Sequence, residues 1–384
     1  MGGSSAEDVA AFEAALGLAW LGQYGCSPLL QLLARESAET IWTASRETLQ
    51  KWGLAPSVVA RFHGKRETFS AAAIRGQMDS SGLAFVPFGS PWFPKELAEL
   101  KYPPAGLFVK GPPDRMECLL RVPRVTLVGT RRASPYGKRV ADLLATAFVG
   151  RGVAVISGLA LGIDGRAHQA ALDARGTTAA ILGCGADIAY PPRHRCLYER
   201  VTREGVIISE LPPGALPARW TFPHRNRLLA ALGDAVVVVE GSRQSGALQT
   251  AEAALELGRP VFAVPGLITS ENHQGCNWLI FDGAAPAVDP SVTVEEFLLR
   301  TRIEMGDRSP VVGEAANPRP EKLTGAGSPL HTPVMEALAV GACTVDDLVA
   351  RSGMDARRVT VALAELEVHG LVFRSGGGLY IRAP

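Results

Sequence analysis

Short apolar runs alternate with segments of helical periodicity between residues 124 and 263. The run Val236–Val239 contains only valine, and such continuous runs are typical of strands that are covered on both faces of a parallel sheet. Because a helical segment separates each run from the next, the pattern predicts right-handed crossovers and a doubly wound α/β domain. The expected strands are 83–86, 107–109, 124–128, 153–156, 178–182, 206–209, 235–239 and 260–263, and the expected helices are 136–151, 164–175, 195–203, 225–232 and 246–257.

The segments on either side of this domain have a different character. Residues 6–70 are rich in Ala and Leu and are interrupted by Gly and Pro, which predicts a small all-helical module. Residues 305–330 are rich in Gly, Pro and Ser without periodicity, which indicates a flexible linker. We therefore expect four parts, namely a helical module at 1–80, the α/β domain at 81–300, the linker at 301–330 and a winged helix at 331–384.

The C-terminal part has the pattern of a winged helix. A helix over 333–339 is followed by a second helix that begins with a capping box at Thr344–Asp347. Asp355 caps a third helix that ends at Gly370, and two apolar runs separated by a Gly-rich tip then predict a hairpin. Winged helices contact DNA grooves in some proteins and bind or dimerise with proteins in others, so both uses stay open.

Composition narrows the classes of partner. Lys and Arg total 39 against 38 for Asp and Glu, so any contact with nucleic acid has to come from a local basic patch. The six cysteines have no zinc-type or C-x-x-C spacing, which is typical of a reduced, cytosolic protein. The chain lacks a signal-peptide pattern and an apolar run of the roughly 20 residues that cross a membrane. We expect a cytoplasmic protein without a metal and without membrane contact.

Two glycine-rich turns are the strongest functional signal. Gly129–Ser134 and Ser157–Asp164 each follow a predicted strand and open a predicted helix, which aims backbone N–H groups at an anion, usually phosphate. The first turn adds Arg131 and Arg132, whose guanidinium groups match phosphate in bidentate fashion. Lys138 follows, but Arg stands where a Walker A motif requires Gly and again where it requires Ser or Thr, so an ATPase is not supported.

Asp164 and His168 stand four residues apart on one face of a predicted helix. Such a pair suits acid–base catalysis or half of a metal site, although no other ligand stands nearby at metal spacing. We interpret Asp164 as a cap of the helix and the two residues as a hydrogen-bonded structural pair. The later segment Gly183–Pro192 contains only the first part of a dinucleotide fingerprint and does not predict NAD.

A basic and aromatic segment lies at residues 211–233, which contain no acidic residue. Trp220 and Phe222 are interleaved there with Arg225 and Arg227. This combination suits single-stranded nucleic acid, because rings stack on bases and guanidinium groups bind phosphates. The alternative is that the two rings anchor the core.

Together these motifs resemble the DNA-processing protein A family, also called Smf. The match covers roughly residues 85–285, and both the order and the spacing of the motifs agree. The matching motifs are Gly129-Thr-Arg-x-x-Ser-x-Tyr-Gly137, Ser157-Gly-x-Ala-x-Gly-Ile-Asp-x-x-Ala-His168, Gly183-x-Gly-x-Asp-x-x-Tyr-Pro191, Phe222-Pro-x-Arg-Asn-Arg227, Ser245-Gly246, Gly258-Arg-Pro-Val-Phe-Ala-Val-Pro-Gly266 and Gly275-Cys-Asn-Trp-Leu-Ile280.

The resemblance implies that the helical module at 1–80 is SAM-like. It also implies an extended Rossmann-like domain that binds single-stranded DNA and is not an enzyme, with no cofactor. It implies a homodimer that protects incoming strands during natural transformation and loads the RecA recombinase, also where single-strand-binding protein coats the DNA. In the family a Gly-Ser/Thr-Arg turn holds a DNA phosphate, and Arg131 matches its arginine. The implied site residues are Gly129, Thr130, Arg131, Ser157, Gly158, Arg225, Ser245 and Gly246, with Arg132, Lys138, Arg175, Trp220, Phe222 and Arg227 as weaker candidates. Arg175 is included because the family often has a basic residue at the place of Thr177.

Two other functions stay open. Nucleotide phosphoribohydrolases also place Gly-rich turns around a nucleotide phosphate, although the Pro-Gly-Gly-x-Gly-Thr turn that they usually carry is absent from this sequence. A protein-interaction scaffold is compatible with the two outer modules.

Overall fold

The structure is a computed structural model of the chain, and it describes residues 6–302, 331–338, 344–368, 372–374 and 380–382. The chain forms two compact units, residues 1–311 and 312–384. Most of the expected linker, together with Gly370 and the tip of the terminal hairpin, lies outside the described residues. In the described part, no helix has the length and apolar character needed to cross a membrane.

A nine-stranded mixed sheet forms the centre of the first unit, with the strand order β1-β2-β6-β5-β4-β3-β7-β8-β9. Its strands are β1 (Ala84–Pro87), β2 (Gly106–Lys110), β3 (Arg124–Val128), β4 (Ala154–Ser157), β5 (Thr178–Ile181), β6 (Val206–Ser209), β7 (Ala235–Val238), β8 (Val261–Ala263) and β9 (Ala285–Pro286). Strands β3 to β9 are parallel, whereas β2 pairs antiparallel with β1 and with β6. The predicted doubly wound α/β fold is confirmed, and an antiparallel pair extends one edge of the sheet.

Six α-helices precede the sheet, as the Ala/Leu-rich segment predicts. They are α1 (Ala6–Gly22), α2 (Ser27–Leu30), α3 (Ala38–Thr43), α4 (Arg46–Lys51), α5 (Pro56–Arg66) and α6 (Ala71–Ser81). Their buried side chains, among them Leu16 and Phe62, belong to the same apolar cluster as Phe108 and Ile207 of the sheet. The helical module therefore shares a core with one face of the sheet.

The remaining helices of this unit cover both faces of the sheet. They are α7 (Lys95–Ala98), α8 (Pro113–Arg121), α9 (Pro135–Gly150), α10 (Ile163–Asp173), α11 (Arg195–Glu204), α12 (Thr221–Leu232), α13 (Gly246–Glu256), α14 (Glu271–Phe281) and α15 (Pro290–Arg302). Alternate residues of β7 serve the two cores, since Val237 packs with α9, α10 and α15 whereas Val236 packs with α12, α13 and α14. This double coverage explains why the strands read as continuous apolar runs.

The second unit contains α16 (His331–Leu338), α17 (Val345–Ser352), α18 (Ala356–Val368), β10 (Val372–Arg374) and β11 (Tyr380–Arg382). The predicted capping box is confirmed, because Thr344 and Asp347 exchange side-chain-to-backbone hydrogen bonds. The N–H of Arg358 donates to the Asp355 carboxylate at 2.9 Å, as expected for a cap. Strands β10 and β11 pair antiparallel, which completes the helix and hairpin order of a winged helix.

Some elements differ from the sequence-based expectation. Helix α12 begins at Thr221 rather than at residue 225, because Pro223 falls in the first helical turn, where its missing N–H costs nothing. Helices α7, α8, α14 and α15 and strand β9 were not predicted. The segment Glu271–Phe281 contains glycine, asparagine and histidine residues, which have low helix propensity. It is helical nevertheless, because its packing against the sheet outweighs the low propensity.

Arg124 forms a buried ion pair at the start of β3, where it is only 1% exposed. Its Nη2 lies 2.7 Å from Glu96 Oε1, and its backbone N–H donates to Asp234 Oδ2 at 2.7 Å. Burial lowers the pKa of the Arg124 guanidinium, and the Asp234 carboxylate opposes that shift. The pair therefore ties α7 and the α12–β7 connection to the central strand.

We expect Arg124→Ala to lower the free energy of unfolding of the first unit by about 3–5 kcal/mol, because the Glu96 and Asp234 carboxylates would lose the buried guanidinium beside them. All six tryptophans lie in this unit, so their fluorescence in a urea titration reports on it alone. Arg121→Ala is the control, since its pair with Glu117 is exposed and is worth less than about 1 kcal/mol. Equal effects of the two substitutions would contradict the structural role of Arg124.

Candidate functional site

The candidate site lies at the carboxyl edge of the parallel strands. The chain leaves β3 in one direction toward β4, β5 and β6 and later returns to β7 on the other side of β3. Open α/β sheets bind ligands at such a switch point. The turns that follow β3, β4 and β7 all meet at this edge, because the strands are parallel.

Four of the predicted site residues line one cavity of about 70 Å³ at this edge, namely Arg131, Gly158, Phe222 and Arg225. The other walls come from segments 160–161, 182–184 and 190–191. The Tyr190 and Phe222 rings lie 5.7 Å apart between centroids and are tilted by 34°. The site therefore combines two guanidinium groups with a pair of aromatic rings.

Arg131 lies on the exposed turn after β3, and its guanidinium carbon is 5.2 Å from the centroid of the Phe222 ring. The backbone N–H groups of Arg131 and Ala133 have no hydrogen-bond partner among the described residues. Two open N–H groups and a stacked, exposed guanidinium are suited to an anion. Arg132 and Lys138 are exposed beside them on the same turn and the first turn of α9.

Arg225 is buried in the wall of the cavity and is 5% exposed. Its Nη1 donates to the carbonyl of Gly158 at 3.0 Å and to that of Ile181. Burial lowers the pKa of Arg225 to about 10, and the carboxylate of Asp164 opposes the shift. The close approach requires glycine at position 158, where a Cβ atom would lie 2.7 Å from the guanidinium carbon.

Asp164 is buried at the start of α10, and the prediction that it caps this helix was wrong. Gly162 occupies the N-cap position without a side-chain hydrogen bond. The Asp164 carboxylate instead accepts the N–H of Gly158 at 3.1 Å. The second glycine turn therefore points one of its N–H groups at an internal carboxylate rather than outward at a ligand.

His168 and Ser157 are both completely buried. The expected Asp164–His168 pair was wrong, because His168 Nδ1 lies 2.8 Å from Thr178 Oγ1 on β5. The Thr178 hydroxyl donates to the carbonyl of Val155, so it accepts the N–H of a neutral His168. The Ser157 hydroxyl donates to the carbonyl of Leu127 at 2.6 Å, which favours a structural role over the predicted phosphate contact.

Ser245 and Gly246 lie at the N-terminus of α13, beside the turn that follows β7. Ser245 occupies the N-cap position, but its Oγ is buried without a hydrogen-bond partner among the described residues. Asn226 Nδ2 donates to the carbonyl of Gly246 at 3.1 Å and links α13 to α12. The first N–H groups of α13 are therefore uncapped by a side chain and available to an anion.

Trp220 and Arg227 lie outside the cavity walls. Arg227 pairs with the buried carboxylate of Glu210 and contacts His224 at 3.1 Å, so its charge is already compensated. The ring of Trp220 is 46% exposed and packs against His224. The structure thus brings Phe222 and Arg225 to the cavity and leaves Trp220 and Arg227 in a separate cluster.

Arg175 stands at the opposite end of α10 from the cavity. It follows Asp173, the last residue of this helix, and precedes β5, so it lies at the amino edge of the parallel strands. A helix of this length separates its two ends by about 16 Å. Arg175 therefore does not line the cavity, and its role as a substitute phosphate ligand stays a prediction that its position does not support.

Sequence reasoning missed Glu240 as a residue of the site. It lies two residues after the end of β7 and is 0% exposed, yet its carboxylate contacts Ser134 of the first glycine turn and His273 of α14. Its place at the end of an apolar strand is the signal that could have found it. In the described part of the chain, no group of three His, Cys, Asp or Glu side chains is arranged to hold a metal ion.

Comparison with known proteins identifies the family of this chain. The model of the DNA recombination-mediator protein A family matches residues 84–298, and that of the DprA winged helix domain matches residues 314–378. The chain belongs to the DNA recombination-mediator protein A family. It is 33% identical to protein Smf of Synechocystis over 96% of this chain and 99% of the relative. It is 43% identical to the putative DNA processing protein DprA of Mycobacterium tuberculosis over 73% of this chain and 69% of the relative.

Two solved structures of the family resemble the fold. DNA processing protein A from Streptococcus pneumoniae superposes with a TM-score of 0.62 at 30% identity, covering 73% of this chain and 96% of that chain. The protein from Helicobacter pylori, whose structure was determined for its single-stranded DNA binding mode, superposes with a TM-score of 0.52 at 28% identity. That superposition covers 57% of this chain and 98% of the other.

We expect Gly158→Ala to lower the free energy of unfolding by about 1–3 kcal/mol, because its methyl group would displace the buried Arg225 guanidinium. Gly246→Ala is the matched control, since a Cβ atom there meets only Asn226 Nδ2 at 3.8 Å. Tryptophan fluorescence in urea measures both variants. A loss in Gly246→Ala as large as in Gly158→Ala would refute the steric argument.

Because neutral His168 is completely buried, we expect the protein to lose stability in acid. Burial lowers the pKa of His168 to about 3 from 6.5, so between these values the unfolded chain binds a proton that the native chain does not. The contribution of neutral His168 to the free energy of unfolding is therefore complete above pH 6.5. It is lost as the pH falls toward 3, at up to about 1.4 kcal/mol per pH unit. His168→Asn keeps a donor for Thr178 and should flatten this slope in urea titrations at several pH values. Parallel curves for the variant and the original chain would contradict the assignment.

Proposed function

We propose that this protein binds single-stranded DNA as a recombination mediator, with the DNA backbone passing the cavity at the carboxyl edge of the sheet. The observation that carries the proposal is the surroundings of Arg131. Its exposed guanidinium lies over the aromatic ring of Phe222, and the backbone N–H groups of Arg131 and Ala133 are open beside it. An arginine among backbone donors holds a phosphate by charge-assisted hydrogen bonds. Membership of the DNA recombination-mediator protein A family supports the same ligand.

Several phosphate contacts extend along one strand in this proposal. Gly129, Thr130 and Arg131 take one phosphate, with Arg132 and Lys138 attracting the neighbouring backbone. The uncapped start of α13, with Ser245 and Gly246, takes another. Since the net charge of the chain is +1, this local group of cations supplies the attraction that the whole molecule lacks.

The aromatic rings favour a single strand over a duplex. Phe222 and Tyr190 lie in the cavity wall beside two guanidinium groups, where an unpaired base is able to stack. Bases of a duplex are already stacked on each other, so they gain nothing from such a wall. Arg225 contributes its charge to the cavity from a fixed position, because two backbone carbonyls hold its Nη1.

The partners implied by the resemblance belong to this proposal. We propose a homodimer that protects incoming single strands during natural transformation and loads RecA onto strands coated by single-strand-binding protein. The exposed rings of Trp278 and Phe281 at the end of α14, with exposures of 42% and 78%, offer apolar area for contact between copies. The protein acts by binding and not as an enzyme, with no cofactor.

We expect Arg131→Ala to weaken binding of a labelled oligothymidylate by about 10-fold or more, because a charge-assisted phosphate contact is lost. The slope of log affinity against log salt should fall by about one, since one fewer counterion is released. Fluorescence anisotropy at several salt concentrations measures both quantities.

Arg175→Ala is the matched control, because it removes the same charge at the amino edge of the sheet. Its affinity and salt slope should stay close to those of the original chain. If Arg131→Ala bound as tightly as the original chain, the phosphate contact would be refuted. Release of free base from a nucleoside monophosphate would instead favour the phosphoribohydrolase function.

A further inference from the structure

Glu240 is a fully buried carboxylate whose partners lie on the turn that carries Arg131. Its Oε2 accepts the backbone N–H of Ser134 at 2.9 Å, and its Oε1 accepts the Ser134 hydroxyl. Oε1 also lies 3.2 Å from His273 Nε2. A buried carboxylate is retained only where such donors compensate its desolvation, so this arrangement is sensitive to the loss of any one donor.

The backbone around Glu240 binds the other end of the same turn. The Glu240 carbonyl accepts the N–H of Thr130 at 2.7 Å. Glycine is required at position 137, where a Cβ atom would lie 2.8 Å from Glu240 Oε1. Glu240 therefore contacts the turn on both sides of Arg131, once by its backbone and once by its side chain.

Helix α14 supports this arrangement from the far side. Asn272 Nδ2 donates to the carbonyl of Arg132 at 3.3 Å, and His273 contacts the Glu240 carboxylate. The ring of Tyr136, at the start of α9, packs edge-on against His273 at 5.6 Å between centroids. Three elements, the end of β7, the start of α14 and the start of α9, thus converge on one carboxylate.

This cluster of Ser134, Glu240 and His273 does not form a nucleophilic triad. In a triad the histidine stands between the serine and the carboxylate, where it takes the proton of the hydroxyl. Here the carboxylate stands in the middle, and the Ser134 hydroxyl is additionally the N-cap acceptor for the N–H of Gly137 at 3.0 Å. The geometry points to positioning rather than to catalysis.

We propose that Glu240 is a positioning residue for DNA binding, which holds the Gly129–Ser134 turn so that the Arg131 guanidinium stays over Phe222. This inference rests on the proposed function. Without the carboxylate, the donors of Ser134 lose their acceptor and the segment between the contacts at Thr130 and Ser134 gains freedom. Binding of DNA then has to order Arg131, and the entropy cost of that ordering lowers the affinity.

Glu240→Gln is the most conservative test, because it keeps the size of the side chain. One oxygen of the glutamine still accepts a hydrogen bond, but its NH₂ group replaces an acceptor with a donor at either Ser134 or His273. We expect oligothymidylate binding to weaken by about 3- to 10-fold in this variant. Glu252→Gln is the control, since it removes the same charge from an exposed position on α13.

A double-mutant cycle separates positioning from general stability. Affinity is measured for the original chain, Glu240→Gln, Arg131→Ala and the double variant, together with the thermal midpoint of each. If Glu240 acts through Arg131, Glu240→Gln has almost no further effect on affinity once Arg131 is absent. Its effect on the thermal midpoint is the same in both backgrounds.

Two results would overturn the inference. One is a folded Glu240→Gln protein with unchanged affinity, and the other is an equal loss of affinity with and without Arg131. If Glu240→Gln does not fold, Ser134→Ala replaces it in the same cycle, because it removes one donor to the Glu240 carboxylate. Ser134→Ala also removes the N-cap of α9, but this loss is the same with and without Arg131 and cancels from the coupling energy. An original chain that does not bind oligothymidylate would instead refute the proposed function, so the two failures are distinguishable.

Discussion

The candidate site depends on two buried carboxylates, which hold the glycine-rich turns at the carboxyl edge of the parallel strands. Asp164 binds an N–H group of the turn after β4, and Glu240 binds N–H and hydroxyl groups of the turn after β3. Glycine-rich turns expose more backbone donors than they can satisfy within the turn, so an unbraced turn would have several conformations. The internal carboxylates take some of these donors and leave others, including those of Arg131 and Ala133, for a ligand.

The same carboxylates explain how cations stay close together in a nearly neutral protein. Asp164 compensates Arg225 inside the wall, whereas Arg131 lies outside on the aromatic ring. A buried guanidinium with fixed carbonyl partners has little freedom to lose, and an exposed guanidinium remains available to phosphate. The cavity thus has a rigid inner charge and an accessible outer charge.

Much of the fold and part of the site could be predicted from the sequence. The strands were predictable because double coverage makes them continuous apolar runs, and Arg131 was predictable because it lies on a glycine turn directly after such a strand. The place of Arg175 could not be predicted in this way, since a spacing of two residues along the chain does not tell which edge of the sheet a loop occupies. The hydrogen-bond partners of Asp164 and His168 could not be predicted either. Helical spacing places both residues on one face of the helix but does not show which groups lie opposite that face.

The sequence by itself determined the α/β alternation, the capped helices of the winged helix and the position of the glycine turn that carries Arg131. These features depend on periodicity and on local backbone chemistry, which neighbouring residues carry. Only the tertiary structure decided that Arg225 is a buried wall residue, that the Ser157 hydroxyl is already occupied, and that Glu240 contacts the turn that carries Arg131. Residues 134 and 240 are distant in sequence, and they meet because β3 and β7 are adjacent parallel strands whose ends share one edge.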